Sequence, residues 1–223
     1  MVWRRAAGDV DLRRAVAVRR LTFRRFAGLD RSGPPPPETL PGAPLRPWTI
    51  PNAIGYVRLA LIPVFLVLAW DTDGVGAGPA IVFGLIAWGD YADGIAARLT
   101  GQYSRLGAML DPVVDRLLVI SGVVVCWNFD LVPRWLLALL IAREALMLAL
   151  APFALRRGVE LKINWWGRWG VWPAMASLFF AMCGLRTFAT VLLAAGVVLL
   201  VIATVEYARS ARRQLADRAA AGA

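Results

Sequence analysis

An all-α membrane fold, with six spanning helices and both termini on the cytoplasmic side, is the architecture this sequence predicts. Three observations predict it. The 223-residue chain is 59% apolar and has a mean hydropathy of +0.59, more than a soluble core of this size needs. Its apolar residues fall in six runs, several near the roughly 20 residues that span a bilayer as helix. Its basic residues recur at both ends and in every second connection, as cytoplasmic loops require. No repeat of 20–50 residues is visible, so the runs form one helical domain.

Residues 1–33 carry arginine pairs at 13/14, 19/20 and 24/25, separated by Ala, Val, Leu and Phe. They read either as a short amphipathic helix on the membrane surface or as a disordered arm or an extension upstream of the true start. They lack the apolar core of a secretory signal. Residues 33–47, with Pro34 to Pro37 together, read as a linker. The organisation is therefore a basic arm and Pro-rich linker over 1–48, a six-helix transmembrane domain over 49–208 and a basic cytoplasmic tail over 209–223.

Thr49-Ile50-Pro51-Asn52 opens the first membrane helix, with proline near the first turn, where its missing N–H costs nothing. The spans run at about 52–70, 79–98, 107–127, 132–155, 168–184 and 187–208, the third to sixth being the clearest. The first carries Arg58, and the second carries Asp90 and Asp93. A polar turn, 99–106, joins the second and third spans, and a longer connection, 158–168, joins the fourth and fifth.

Ten arginines lie in residues 1–49; Arg98 and Arg105 lie in the second connection, Arg156, Arg157, Lys162 and Arg168 in the fourth, and four arginines after residue 208. The opposite side keeps Arg134 and Arg186 beside Asp71, Asp73 and Asp130. Trp70, Trp127 and Trp135 mark the outer interface; Trp48, Trp165 and Trp166 mark the inner one. The net charge of +10 is then a topology charge facing anionic lipid, each cation worth about 1 kcal/mol near the surface. Nucleic-acid binding is excluded as a reading, since no soluble domain is present to dock in a groove. Cys126 and Cys183 read as ordinary buried thiols.

The chemistry concentrates in Asp90-Tyr91-Ala92-Asp93-Gly94, Ala97-Arg98, and, after eight more residues, Gly107, Asp111 and Asp115. Positions 90, 93, 94, 97 and 98 fall on one helical stripe, and 107, 111 and 115 on another. A short connection makes the two helices antiparallel neighbours, so their acidic faces can meet across one cleft. Gly94 and Ala97 leave a shallow floor beside the acids. Charges at membrane depth mark working sites, and four of one sign repel unless cations lie between them. The chain has no histidine, so a bound metal would have oxygen ligands only, which favours Mg²⁺, Mn²⁺ or Ca²⁺. Two such ions would clamp phosphate oxygens.

These residues resemble the signature of the CDP-alcohol phosphotransferases, Asp-x2-Asp-Gly-x2-Ala-Arg-x8-Gly-x3-Asp-x3-Asp. Every fixed position is matched, by Asp90, Asp93, Gly94, Ala97, Arg98, Gly107, Asp111 and Asp115. The resemblance covers roughly 49–208 and leaves residues 1–48 outside.

The resemblance implies two Mg²⁺ or Mn²⁺ ions among the four aspartates, with Asp115 also the general base toward the acceptor hydroxyl. It implies that Gly94, Ala97, Arg98, Gly107 and Ser104 surround CDP-diacylglycerol, with Arg98 on the diphosphate, and that Pro51 and Asn52 touch the cytidine side. It further implies a homodimer in the anionic inner (plasma) membrane, with its active site facing the cytoplasm. The reaction implied moves a phosphatidyl group from CMP to an alcohol, and the surrounding residues resemble the branch that makes phosphatidylglycerophosphate and the cardiolipin synthases. Glycerol-3-phosphate is the first acceptor expected, phosphatidylglycerol the second, and inositol phosphate fits less well.

Cationic candidates for the acceptor are Arg116, Arg143, Lys162 and Arg58. Two alternatives stay open. Arg58 either touches substrate or pairs with an acid to hold the bundle, and Arg143 and Glu144 could be a buried structural pair. Two other classes compete, an intramembrane Mg²⁺-dependent prenyltransferase and a non-enzymatic membrane bundle. The first usually splits its acidic motifs between distant helices. The second would carry polar residues through to the outer side, where these helices are nearly all apolar.

Overall fold

The computed structural model describes residue 39, residues 42–156 and residues 165–221. The arginine-rich stretch 1–33, Arg157 and Lys162 lie outside the described residues. The described residues form six helices and no strand: α1 Ile50–Asp71, α2 Ala77–Thr100, α3 Arg105–Asn128, α4 Arg134–Arg156, α5 Trp165–Met182 and α6 Arg186–Ala221.

Local chemistry sets the ends that matter for the site. Thr49 caps α1, its side chain accepting from the Asn52 N–H at 3.3 Å, and Pro51 sits in the first turn. Ser104 caps α3 in the same way, accepting from the Gly107 N–H at 2.9 Å. At the end of α2, Gly101 takes a left-handed conformation (φ 65°) that stops the helix. The chain therefore turns within 101–104 and sends α3 back antiparallel to α2. Pro112 inside α3 cannot donate to the carbonyl of Ala108, so one helical hydrogen bond is missing in the turn that carries Asp111.

The core is built by one face of each helix. Phe65 of α1 and Phe83 of α2 meet at 5.5 Å between ring centres. Val114 and Leu118 of α3, Leu137 of α4, Leu178 of α5 and Leu193 of α6 are buried with them. Small residues bring α5 and α6 into backbone contact: a Cβ on Gly196 would lie 2.8 Å from the Ala174 backbone nitrogen. This is how helices associate where water supplies no driving force between them.

Large apolar side chains also cover the outside, among them Trp88, Trp135, Trp172 and Val67. Apolar side chains on the outer faces of such helices fit a membrane protein.

Three of the described helices are long and apolar enough to cross a membrane by length and composition, at Ile50–Asp71, Ala77–Thr100 and Arg186–Arg212. Among the described residues, length and composition thus pick out the first, second and sixth spans, where reading the sequence ranks the third to sixth as the clearest. Charge lowers the apolar count of α3, which carries Arg105, Asp111, Asp115 and Arg116. The apolar part of α5 is shorter, Trp169–Met182. A second difference lies in α6, which continues through the basic tail to Ala221, because alanine, arginine, glutamine and leucine are good helix formers. Cys126 is buried, Cys183 is exposed, and both are free thiols.

Candidate active site

The first turns of α1, the last turns of α2 and the first turns of α3 converge, and the signature residues lie at that end. At the centre is Arg58. Its Nε donates to the Ile86 carbonyl at 3.0 Å, its Nη1 to Asp93 Oδ2 at 2.9 Å, and its Nη2 to Asp115 Oδ1 at 2.6 Å. Nη1 also lies 3.5 Å from Asp90 Oδ1. Arg58 is only 2% exposed and Asp93 only 5%, whereas the Asp90 and Asp115 side chains are each about half exposed. Asp111 stands one turn before Asp115 and feels the charges of Asp90, Asp93 and Asp115.

Arg58 is therefore held on the acids, every guanidinium nitrogen engaged, and is not turned toward an acceptor. Space for it comes from Gly89, where a Cβ would fall 2.8 Å from both Arg58 Cγ and Cδ. Gly89 is a site residue that reading the sequence missed, since it lies one position before the signature and its partner is on another helix.

The donor set suits hard divalent cations. All four acids supply oxygen, and a single guanidinium offsets only one of their charges. Among the described residues, however, no three of these acids are gathered in a metal-holding group.

Arg98 ends the α2 stripe. A Cβ on Gly94 would stand 3.4 Å from Arg98 Nη1 and 3.7 Å from Nη2, so the guanidinium lies against the helix where glycine leaves room. Its Nε is buried and has no hydrogen-bond partner among the described residues. An unpaired buried donor is costly, and an anion resting on this edge would satisfy it. Ala97, beside it, is half-buried.

Asn52 and Ser104 are nearly fully buried. Asn52 Nδ2 donates to the Arg46 carbonyl at 3.0 Å and the Pro47 carbonyl at 3.1 Å. Its Oδ1 accepts from Ser104 Oγ at 2.8 Å. Both side chains expected at the nucleotide are thus engaged with protein atoms, clasping the segment before α1 to the turn before α3. The Ile50 N–H adds a 3.0 Å bond to Gln102 Oε1 across the same junction. Pro51 starts the helix that carries the clasp.

Arg116 and Arg143 meet a shared carboxylate. Arg143 Nη1 donates to Glu144 Oε1, Arg143 Nε donates to Thr204 Oγ1 at 3.3 Å, and Arg116 Nη1 lies 3.9 Å from Glu144 Oε2. The group links α3, α4 and α6. Thr204 had no signal in the sequence. Of the expected acceptor cations, the structure thus places Arg58 in the acid cluster and Arg116 with Arg143 on Glu144, while Lys162 lies outside the described residues.

Residues 48–204 match the family model of the CDP-alcohol phosphatidyltransferases. The chain belongs to the CDP-alcohol phosphatidyltransferase family. Its members are phospholipid-synthesis transferases that are generally dependent on divalent metal, which agrees with the oxygen-rich donor set.

A Mycobacterium tuberculosis protein provisionally named a cardiolipin synthase is 41% identical over 116 residues, 52% of this chain and 54% of that protein. Cardiolipin synthase (CMP-forming) of Streptomyces coelicolor is 38% identical over 118 residues, 51% of this chain and 54% of that protein. The CDP-diacylglycerol–glycerol-3-phosphate 3-phosphatidyltransferase of Bacillus subtilis is 31% identical over 145 residues, 59% of this chain and 75% of that enzyme. The chain spans about half the length of the first two curated relatives it matches.

Proposed function

We propose that this member of the CDP-alcohol phosphatidyltransferase family transfers a phosphatidyl group from CDP-diacylglycerol to a hydroxyl of a glycerol-phosphate headgroup, releasing CMP. The observation that carries the proposal is the buried, unpartnered Nε of Arg98, whose guanidinium lies over Gly94, on the same helix face as Asp90 and Asp93. It offers a cationic donor to a diphosphate next to a cleft of four acids.

Two divalent ions, Mg²⁺ or Mn²⁺, held by Asp90, Asp93, Asp111 and Asp115 would supply the charge that draws in the diphosphate and stabilises the leaving CMP. Arg98 orients the diphosphate. Asp115, half exposed at the cleft, takes the proton from the acceptor hydroxyl. The acceptor oxygen then bonds to the phosphorus that carries diacylglycerol, and the bond from that phosphorus to the CMP oxygen breaks. Asn52, Ser104 and Gly107 hold the turn that fixes the distance between the two acidic stripes. Positioning of this kind is worth several powers of ten in rate.

Two acceptors share the glycerol-phosphate hydroxyl. Reading the sequence puts glycerol-3-phosphate first, and the Bacillus subtilis relative carries that name. Two observations shift weight to phosphatidylglycerol. The relatives with 41% and 38% identity are both named as cardiolipin synthases. Arg116 and Arg143 also share the single negative charge of Glu144, leaving one net positive charge, which suits a singly charged phosphodiester better than a dianion.

The catalytic unit proposed is residues 49–208, with 1–48 as a basic arm and 209–223 as a basic tail. It would cross the inner membrane six times, with both termini and the acidic cleft on the cytoplasmic side, and act as a homodimer. The test is turnover of labelled CDP-diacylglycerol by purified protein with phosphatidylglycerol and glycerol-3-phosphate supplied in parallel. CMP release that depends on one of the two supports the proposal, and no release with either defeats it.

A further inference from the structure

Arg58 has no place in the signature, yet it is the largest fully buried polar side chain among the described residues. Its guanidinium touches carboxylates from two other helices, Asp93 and Asp90 on α2 and Asp115 on α3. It is anchored independently of them by the Ile86 carbonyl, and Gly89 is shaped around its stem. A planar fork with donors at fixed angles suits several carboxylates at once, as the point charge of lysine would not.

We propose that Arg58 is the resident counter-cation of the acidic cleft: it holds Asp90, Asp93 and Asp115 together across three helices before any divalent ion binds. The inference rests on the reading that these acids hold divalent metal.

The physical argument is one of alternatives. Without a cation among them, four carboxylates facing each other in a partly buried cleft repel, and the ends of α2 and α3 are driven apart. A protein that met its metal only after membrane insertion would have to assemble this cleft against that repulsion. Arg58 removes the difficulty from within, because its charge arrives with α1. The same positive charge opposes the incoming ion, so Arg58 should make the empty protein more stable and the gain in stability on metal binding smaller.

Thermal unfolding of the purified full chain in detergent tests this, in EDTA and then across a MgCl₂ titration, for the native protein and for Arg58→Met. The midpoint of Arg58→Met should fall by about 5–10 °C in EDTA. Saturating Mg²⁺ should restore more than half of the loss, so that the Mg²⁺-induced rise is larger in the variant than in the native protein. Should Arg58→Met not accumulate, Gly89→Ala reads the same relationship by pushing the guanidinium aside while keeping every charge. A Mg²⁺-induced rise no larger than that of the native protein, in whichever variant is measured, overturns the proposal and leaves the metal reading intact. If Mg²⁺ raises the midpoint of neither protein, the metal reading itself fails and takes this proposal with it.

Discussion

A Cβ placed on Gly107 would fall 2.6 Å from Asn52 Oδ1 and 3.1 Å from Ser104 Oγ. The signature glycine is therefore explained by packing: the Asn52 amide occupies the volume that any side chain at 107 would need. Through that amide the start of α1 is tied to the start of α3, the helix that carries Asp111 and Asp115.

Gly107→Ala should break this arrangement by displacing Asn52. We expect kcat/KM to fall by about 10²-fold, the scale of an ångström-sized misplacement of catalytic groups. Steady-state kinetics would check it, with the unfolding midpoint measured alongside to separate misplacement from loss of fold. A variant with native kinetics would mean that the clasp does not set the position of the acids.

The two acidic stripes should be separately indispensable. Asp93→Asn on α2 or Asp111→Asn on α3 each removes one charged ligand from the proposed metal clamp. Either should lower turnover by about 10³-fold, a loss of several kcal/mol of transition-state stabilisation. Raising Mg²⁺ should recover part of the activity if the deficit is in metal affinity. Initial rates across a Mg²⁺ series measure both effects.

Binding and chemistry should divide between Arg98 and Asp115. Arg98→Ala removes the buried, unpartnered donor and should weaken binding of CDP-diacylglycerol about tenfold or more, the worth of a charge-assisted hydrogen bond. Asp115→Asn should leave that affinity within a few-fold and reduce turnover far more. Titration of the nucleotide lipid beside single-turnover rates distinguishes the two, and the opposite pattern would exchange the roles.

The acceptor should be read by the group around Glu144. Glu144→Gln frees Arg116 and Arg143 from their shared carboxylate and leaves two cations uncompensated. Use of a dianionic acceptor should then improve relative to a phosphodiester, with KM for glycerol-3-phosphate falling several-fold against that for phosphatidylglycerol. Acceptor kinetics on both substrates measure the ratio, and an unchanged ratio would remove this group from acceptor selection.

The parts of the site that sequence made legible are those with helical spacing. Asp90, Asp93, Gly94 and Arg98 repeat at three and four residues along α2, and Gly107, Asp111 and Asp115 at four along α3, so their shared faces follow from the period alone. The opening of α1 at Thr49-Ile50-Pro51-Asn52 follows equally from local chemistry. Arg58 is different. Its partners lie 35 and 57 residues away, and only the crossing of three helices decides between an acid and a substrate. Gly89 and Thr204 are invisible for the same reason, each being defined by a side chain on another helix. Asn52 is expected at the nucleotide from the family resemblance, while its buried partners, two backbone carbonyls and Ser104, carry no sequence pattern. Charges offset the apolar count in α3, and the extension of α6 was missed because a basic, alanine-rich tail has helix propensity without an apolar stripe.

The most direct measurement of the central claim is CMP release from labelled CDP-diacylglycerol by the purified protein, with phosphatidylglycerol or glycerol-3-phosphate as acceptor, in Mg²⁺ and again in EDTA. The account predicts acceptor-dependent CMP release in Mg²⁺, with cardiolipin as the main lipid product, and its loss in EDTA. CMP release that persists undiminished in EDTA, or its absence with both acceptors in Mg²⁺, would contradict it.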